Sequence, residues 1–419
     1  MKKSLLHNSP AFKMVWEGFS MKRRDRIINA LSFRETERVP MDLGGMRSTS
    51  VSCFRYSELR KYLGLKDGFP LIYDDFQMLA IPEPDVLDTL DCDVVFVDGT
   101  YSNAFDEKDK FKYYDFNGRL PAMVSDPSSY TVLENGTIIK SGMSMPPSSN
   151  VFDSPHGGHE LDLSNIKKVP LEDLRSELKN KMLDDRGIEN LALLCRKVRE
   201  STDRAVFLNG YEVNLNFIGG IANGSMLCVL EPEYVKAYNG MKAEYMAAQM
   251  EKIITAVGEN VDLVLSGNQD MGTQNTTIIS PELIDELIMP YFKVVNDAAH
   301  RANPNMKTFL HSCGAIYSVI DSVINAGFDI LNPVQWTAGG HSYKEWKDKA
   351  RNRITLWGGG VDSQHVLPIG SIDEIEKQVE EVVPYLKKDG GFVFCNIHNL
   401  TAEIGPEKIK AIYNKAKTL

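Results

Sequence analysis

The sequence predicts an α/β protein built as a (β/α)8 TIM barrel, with an N-terminal helical extension and a β-hairpin insertion after strand 2. Eight short apolar runs each precede turn residues and then a stretch of helical periodicity. The runs do not alternate apolar and polar residues, which is typical of strands covered on both faces. A length of 419 residues is within the range of one barrel with insertions. A doubly wound open sheet is the alternative.

The eight predicted strands share an apolar run that ends near a glycine or a polar residue. They are RVPMDLGG (38–45), DVVFVDG (93–99), AVFLNGYE (205–212), VDLVLSGN (261–268), KTFLHSCG (307–314), FDILNPVQ (328–335), ITLWGGGVD (354–362) and GFVFCNIH (391–398).

Helices are predicted between the strands, and two of them have clear ends. The helix after Ser280 has that serine as a plausible N-cap, Pro281 at its first position and acidic residues in its first turn. The segment 371–388 has an apolar stripe and a basic end, which the helix dipole favours.

Two parts of the chain do not follow the strand–helix alternation. Residues 100–165 contain two apolar or aromatic runs, each with an Asn-Gly pair, at 117–118 and 135–136. Asn-Gly between such runs indicates a β-hairpin, so an insertion that caps the barrel mouth is predicted there. Residues 1–25 are predicted to form the helical extension, and residues 1–419 to form a single domain.

Composition excludes several classes of function. The net charge of −10 argues against a nucleic-acid surface, which needs a concentrated basic face. No apolar run is long enough to span a bilayer, and the N-terminus is a poor signal peptide. A cytoplasmic protein is therefore expected. Its scattered cysteines are expected to be thiols, most of them buried.

In a barrel of this kind the active site is expected at the carboxyl ends of the strands. The polar residues at those ends form the full set of candidates for a functional site. They are Arg47, Asp98, Glu212, Asp270, His311, Cys313, Gln335, Asp362, Cys395 and His398.

Three of these candidates form a coherent set of metal ligands. His311 and Cys313 are two positions apart, so on a strand they project to the same side. Cys395, on the last strand, can supply a second thiolate over the barrel mouth. One imidazole and two thiolates suit Zn²⁺ and leave its fourth position open, as a catalytic zinc requires. The alternative is two buried thiols and a histidine bonded to a carbonyl, and the spacing alone favours that alternative.

Three long stretches, in the same order, resemble the uroporphyrinogen decarboxylase family. They are DMGTQNTTIISPELIDELIMPYFK (270–293), FLHSCGAIYSVIDSVINAGFDILNPVQ (309–335) and GGGVDSQHVLPIGSIDEIEKQVEEVVPYLKKDGGFVFCNIHNL (358–400). The resemblance covers most of residues 20–419 and is strongest from about residue 260 onwards. It implies a (β/α)8 barrel, in agreement with the strand count.

The family contains cofactor-free decarboxylases and corrinoid-linked methyltransferases. Its methylcobamide:coenzyme M methyltransferases carry a zinc motif of the form His-x-Cys…Cys, and His311, Cys313 and Cys395 match it. The resemblance therefore implies Zn²⁺ as cofactor. It also implies a methylcobamide supplied by a separate corrinoid-binding protein, since the chain lacks the Asp-x-His-x-x-Gly pattern of a cobalt ligand. That partner is expected to dock at the mouth, near the hairpin insertion.

The decarboxylases differ from this chain near strand 1. They carry an arginine-rich segment for a substrate with many carboxylates, whereas MDLGGMRSTS (41–50) offers only Arg47. Asp98 matches the decarboxylase's pyrrole-binding aspartate, and His398 matches its late histidine. The site skeleton is shared while the arginines are not, which ranks porphyrinogen decarboxylation below methyl transfer.

The expected function is zinc-dependent transfer of a methyl group between the corrinoid and a small thiol, ether or amine. The expected catalytic residues are Asp98, Glu212, Asp270 and His398, and the expected substrate-binding residues are Arg47, Gln335 and Asp362. Glu212 and Asp270 can act as a fourth ligand or orient His311, or else form structural bonds, and Asp362 can equally cap a loop. Two other functions stay open: a decarboxylase of a smaller acid, and a non-catalytic corrinoid- or porphyrin-binding protein. Stoichiometric zinc is expected only for the methyltransferase.

Overall fold

The computed structural model describes residues 21–99, 110–154, 166–215 and 217–419. The predicted N-terminal extension, 1–25, lies almost wholly outside the described residues. So do both ends of the predicted insertion, 100–109 and 155–165.

The strands of the described residues are numbered here in chain order. They are β1 (Ile72–Asp74), β2 (Leu79–Ala80), β3 (Val94–Asp98), β4 (Lys112–Tyr114), β5 (Ala122–Val124), β6 (Thr131–Val132), β7 (Ile138–Lys140), β8 (Met143–Met145), β9 (Ala205–Asn209), β10 (Leu263–Asn268), β11 (Lys307–His311), β12 (Ile330–Asn332), β13 (Thr355–Trp357) and β14 (Phe392–Val393).

The helices are numbered in the same way. They are α1 (Arg23–Leu31), α2 (Cys53–Tyr62), α3 (Pro84–Thr89), α4 (Leu171–Lys181), α5 (Asp185–Ser201), α6 (Ile221–Leu230), α7 (Pro232–Val257), α8 (Pro281–Leu287), α9 (Met289–Ala302), α10 (Ile320–Asn325), α11 (Tyr343–Ala350), α12 (Val366–Ile369), α13 (Ile372–Lys387) and α14 (Pro406–Lys417). Over the residues that the structure describes, none of these helices has both the length and the apolarity needed to cross a bilayer.

Seven strands form one curled parallel sheet, in the order β14-β13-β12-β11-β10-β9-β3. They are seven of the eight predicted strands. Residues in them are buried almost throughout, as expected for strands whose faces are both covered.

The predicted first strand lies between the two edges of this sheet. Met41 forms a parallel bridge with Phe394, just after β14. On the other side, the Asp93 amide donates to the Met41 carbonyl over 2.7 Å, just before β3. Segment 40–42 thus connects both edges of the sheet, so the arrangement is that of a TIM-like barrel and not of an open sheet.

Aromatic side chains fill the inside of the barrel. The Phe207 and Phe309 ring centroids are 4.7 Å apart, and those of Phe309 and Trp357 are 5.4 Å apart. The Trp357 indole donates from Nε1 to Asp42 Oδ2 over 2.9 Å. The first segment is therefore bound to the sheet through its side chain as well as its backbone.

Local capping explains where the two sequence-predicted helices begin. Ser280 Oγ accepts a hydrogen bond from the Leu283 amide over 3.3 Å, ahead of α8. Ser371 and Glu374 form a reciprocal capping box ahead of α13. Helix α13 matches the predicted segment 371–388 to within one residue, whereas the predicted helix over 280–301 is divided at Ile288 into α8 and α9.

Two small antiparallel sheets, β4-β5 and β6-β7-β8, follow β3 in the chain. Asn117 and Gly118 lie between β4 and β5 with positive φ, as a tight turn there requires. The Met123 amide donates to the Pro70 carbonyl over 2.9 Å, and the Phe152 amide donates to the Phe76 carbonyl over 2.8 Å. These sheets therefore pack against the segment that contains β1.

Candidate metal centre

The carboxyl ends of the parallel strands bring several polar side chains to one face of the sheet. β11 ends at His311, with Cys313 two residues later, and β10 is followed by Asp270. The chain after β14 reaches the same face at His398. Because parallel strands end at a common edge, residues far apart in sequence meet there.

His311, Cys313 and His398 lie close together and are called the metal group below. One ligand atom from each lies within 4.8 Å of the other two, and within the described ranges no other three His, Cys, Asp or Glu residues meet this condition. His311 Nε2 lies 3.2 Å from Cys313 Sγ. The two imidazole centroids are 5.7 Å apart. The geometry is compact enough for one ion to contact all three residues.

Hydrogen bonds fix the tautomer of His311. Asn332 Nδ2 donates to the Trp357 carbonyl over 3.0 Å, so the amide oxygen Oδ1 faces His311. His311 Nδ1 lies 2.7 Å from that oxygen and must donate to it. The lone pair is therefore on Nε2, which faces Cys313. Outer hydrogen bonds of this kind orient metal-ligating histidines.

His398 has the same arrangement. Its Nδ1 donates to Asn399 Oδ1, and Asn399 Nδ2 donates to Gln77 Oε1 over 3.3 Å. Burial, reinforced by the neighbouring His311, lowers the pKa of His398 to about 4. His398 is therefore neutral at pH 7, which is the form that binds a metal.

Cys313 has the opposite electrostatic setting. Burial and the nearby Asp270 carboxylate raise the pKa of its thiol well above the usual value. A thiol in these surroundings needs a positive partner to ionise, and a coordinated divalent cation is such a partner. Two imidazoles and one thiolate are a borderline-soft set of ligands that suits Zn²⁺ and not Mg²⁺. The residues present therefore fit a zinc ion.

The sequence prediction of Cys395 as the third ligand differs from this geometry. Cys395 is fully buried in the barrel interior, in one apolar cluster with Phe309 and Trp357. A Cβ added at Gly358 would lie 3.1 Å from its Sγ. Its position belongs to the layer beneath the mouth, and three further residues bring the chain to the mouth at His398. His398, expected as a catalytic residue, takes the third place in the group.

Asp270 and Gln335 hold the backbone of the loop that carries Cys313. Asp270 Oδ1 accepts from the Cys313 amide over 2.9 Å and lies 3.7 Å from His311 Nε2. Gln335 Oε1 accepts from the Gly314 amide over 2.8 Å. Asp270 thus stands beside the metal group, whereas Gln335, expected to bind substrate, supports the loop.

A cavity of about 310 Å³ opens beside the metal group. Among the described residues it is lined by Met46, Arg47, Ser48, Gln77, Asn209, Glu212, Leu265, Asn268, Asp270, His311 and His398. Arg47, expected to bind substrate, and Glu212, expected to be catalytic, both line this cavity. The lining is mostly polar, which suits a small polar ligand.

Asp98 and Asp362 lie outside this lining. Asp98 is buried and accepts from the Tyr73 hydroxyl over 2.9 Å, with Arg47 Nη2 at 3.8 Å. Asp362 Oδ1 accepts from the backbone amides of Gln364 and His365 over 2.8 and 3.0 Å. Of the two interpretations left open for Asp362, the geometry matches the loop cap.

Sequence reasoning did not select the residues that orient the histidines. Asn332 is the last residue of β12 and Asn399 directly follows His398, so both stand at strand ends that the sequence did locate. Ser48, whose Oγ lies 3.3 Å from His311 Nε2, is next to Arg47. The position of these residues at strand ends could have marked them as candidates. Which histidine each one contacts depends on the fold and cannot be read from the sequence.

Comparison with known proteins finds a similarity to one family model in the second half of the chain. Residues 219–419 match the family model described as uroporphyrinogen decarboxylase (URO-D). This range is shorter than the resemblance from residue 20 that the motifs imply. It includes all three members of the metal group. No curated protein sequence matches the chain.

A solved structure with a TM-score above 0.5 shares the fold. A methyltransferase from Methanosarcina mazei superposes with a TM-score of 0.52 at 13% identity, over 95% of this chain and 98% of that one. At that identity the match shows a common fold alone. The GH53 catalytic domain of Ignisphaera aggregans gives a TM-score of 0.28 at 15% identity, over 58% of this chain and 88% of that one. That score is too low to support any argument.

Proposed function

We propose that this chain is a zinc-dependent methyltransferase that moves a methyl group between a corrinoid on a partner protein and a small substrate. The observation that carries the proposal is the group formed by His311, Cys313 and His398 at the edge of a small polar cavity. The URO-D match over residues 219–419 and the methyltransferase name of the Methanosarcina mazei structure support an enzyme of this general kind.

In this proposal His311, Cys313 and His398 hold Zn²⁺ through Nε2, Sγ and an imidazole nitrogen. A bound Zn²⁺ supplies Lewis acidity and stabilises a substrate thiolate at neutral pH. Asn332 and Asn399 keep the histidine lone pairs directed at the ion. Asp270 fixes the Cys313 backbone, so the thiol position does not depend on the ion alone.

The cavity residues bind and orient the substrate. Arg47 and Glu212 supply opposite charges on its wall, and Gln77 and Asn268 supply amide groups. Holding a small substrate beside the metal group lowers the entropic cost of reaching the reactive geometry. The partner corrinoid protein would dock over this face, in the cytoplasm.

A cofactor-free decarboxylase of a small acid is the second candidate. The observation that favours it is the buried Asp98, held by Tyr73 and close to Arg47, together with the URO-D match. Among the described lining residues Arg47 is the only arginine or lysine. A substrate with many carboxylates would therefore be poorly neutralised there, so we rank this function second.

Spectroscopic titration with methylcobalamin tests the proposal. Purified protein with zinc is mixed with methylcobalamin and a small thiol, and loss of the methylcobalamin absorbance is followed. We expect thiol-dependent demethylation, reduced by at least about 100-fold in Cys313→Ser, since an activated nucleophile is lost. Zinc-free protein that releases CO₂ from a small acid at an undiminished rate in Cys313→Ser would instead establish the decarboxylase.

A further inference from the structure

We infer that the part of the cavity wall that includes Asn209 and Glu212 binds a protonated amine of the substrate. The inference rests on the proposed function and names its substrate class, a small aminothiol. It predicts that a thiol with an anionic end group binds poorly at this subsite. Three features of the cavity carry it.

The first feature is an acceptor without a donor. Asn209 is 2% exposed and stands at the end of β9, in the cavity lining. Its Nδ2 donates to the Gly45 carbonyl over 3.0 Å and to the Phe207 carbonyl over 3.3 Å, which fixes the orientation of the amide. Its Oδ1 has no hydrogen-bond partner among the described residues. Since a buried acceptor without a donor is costly, a ligand donor is expected there.

The second feature is the carboxylate of Glu212. One oxygen, Oε2, accepts from the Gly210 amide over 3.0 Å, and the side chain lines the same cavity. Burial raises its pKa, Arg47 opposes that shift, and Asp98 adds to it. A bound cation would stabilise the ionised form of this buried carboxylate.

The third feature is the balance of charge on this wall. Arg47 lies 3.8 Å from Asp98 Oδ2 and 4.0 Å from Asp74 Oδ2. Asp98 and Asp74 lie outside the cavity lining, and together with Glu212 they make three carboxylates near one guanidinium among the described residues. Carboxylates therefore outnumber cations around this part of the wall, which favours a cation over an anion.

These features select the ligand by charge and by hydrogen-bond direction. An ammonium offers only donors and carries positive charge, so it satisfies both Asn209 Oδ1 and Glu212. A sulfonate or carboxylate offers only acceptors and would leave Asn209 Oδ1 unpaired. A hydroxyl can donate one hydrogen bond to Asn209 Oδ1 but carries no charge, so its affinity is expected to lie between those of the ammonium and the anions. The opposite end of the substrate, the thiol, then lies towards the metal group.

A matched series of thiols tests the inference by direct binding. Cysteamine, 2-mercaptoethanol and 2-mercaptoethanesulfonate share one thiol and one spacer and differ in terminal charge. Isothermal titration of the full-length, zinc-loaded protein should rank them in that order. Cysteamine is expected to bind on the order of tenfold more tightly than 2-mercaptoethanol, because a hydrogen bond between charged groups exceeds a neutral one. Equal affinities, or tighter binding of the sulfonate, would overturn the inference.

Two variants locate the effect. Glu212→Gln should lower cysteamine affinity by about tenfold more than 2-mercaptoethanol affinity. The control Glu244→Gln changes an exposed carboxylate on α7 and should leave the ranking intact. If Glu212→Gln does not fold, Asn209→Asp should strengthen cysteamine binding relative to 2-mercaptoethanol. Unchanged ratios in the folded variant contradict the inference.

Two further arms test whether both ends of the substrate are needed and separate this inference from the proposed function. Trimethylamine has one nitrogen and no thiol, so it should bind more weakly than cysteamine, and tighter binding of trimethylamine would contradict an aminothiol substrate. Preferential cysteamine binding without any demethylation of methylcobalamin supports the subsite and contradicts the methyltransferase. Demethylation of methylcobalamin with no preference for cysteamine supports the methyltransferase and contradicts the amine subsite.

Discussion

At the scale of single residues, the two histidines of the metal group are held in the same way. Each donates from Nδ1 to the amide oxygen of an asparagine whose own amide nitrogen is bound elsewhere. The amides thus select one tautomer and one ring orientation before any ion binds. This lowers the cost of assembling the ligands.

Replacing Asn332 should weaken zinc binding. In Asn332→Leu, His311 loses its acceptor and its fixed tautomer, so zinc affinity should fall by about 10- to 100-fold. Competition with a chromophoric chelator measures the affinity. Asn296→Leu is the matched control, because Asn296 is equally buried and hydrogen-bonded but lies on α9. An equal loss of affinity in both variants would show a general effect of destabilisation.

The residue scale is also where sequence reasoning was least able to decide. The structure brings the predicted pair His311 and Cys313 together, with Nε2 and Sγ 3.2 Å apart, although Cys313 lies two residues beyond the end of β11. The identity of the third ligand depends on how many residues separate the end of β14 from the barrel mouth. Cys395 and His398 both fit the pattern of the sequence, and only the path of the chain after β14 distinguishes them.

At the scale of elements, the loop after β11 is held by close packing of two backbones. Gly314 has φ +88°, and a Cβ there would lie 2.4 Å from the Gly272 carbonyl carbon. A Cβ on Gly272 would lie 2.8 Å from the Cys313 carbonyl oxygen. The loops after β10 and β11 can therefore approach this closely only with glycine at positions 272 and 314. Their contact positions Cys313 against Asp270.

Gly314→Ala should consequently damage both stability and the metal group. The left-handed φ costs about 1 kcal/mol for alanine, and the backbone clash adds a further 1–3 kcal/mol or so. Gly142→Ala is the control, since Gly142 has φ +79° but open space around its Cβ position. Urea unfolding should show the larger loss for Gly314→Ala, accompanied by reduced zinc content. Equal losses in the two variants would contradict the packing argument.

The elements themselves were the most predictable part of the molecule. Each of the eight apolar runs lies on a strand of the barrel or on its connecting segment 40–42, because buried parallel strands need continuous apolar sequence. Ser280 and Ser371 are likewise predictable as the N-caps of their helices, because the hydrogen bonds that they form are local. The lengths of the loops between elements follow no such local rule.

At the scale of the whole molecule, segment 40–42 connects the sheet edges, and Asp42 is its buried anchor. Asp42 Oδ1 accepts from the Gly45 amide over 2.8 Å, and Oδ2 accepts from Trp357 Nε1 over 2.9 Å. Burial outweighs these bonds and raises the pKa of Asp42 to about 6. The carboxyl therefore loses its proton at a higher pH in the folded chain than in the unfolded one.

This shift gives the fold a pH dependence with a definite sign. Because the folded chain keeps the Asp42 proton to a higher pH, its contribution to stability is greatest at low pH and declines as pH rises through about 6. Between pH 4.5 and 7.5 the unfolding free energy of the wild type should fall by about 2 kcal/mol relative to Asp42→Asn. Denaturant unfolding of both proteins at the two pH values measures it. A difference that does not vary with pH would contradict the buried, proton-retaining Asp42.

We propose that His311, Cys313 and His398, and not Cys395, form the metal centre. Metal analysis by mass spectrometry of purified wild type, His398→Ala and Cys395→Ala tests it most directly. We expect roughly one zinc per chain in the wild type and in Cys395→Ala, and little or none in His398→Ala. Zinc retained in His398→Ala and lost from Cys395→Ala would contradict the account.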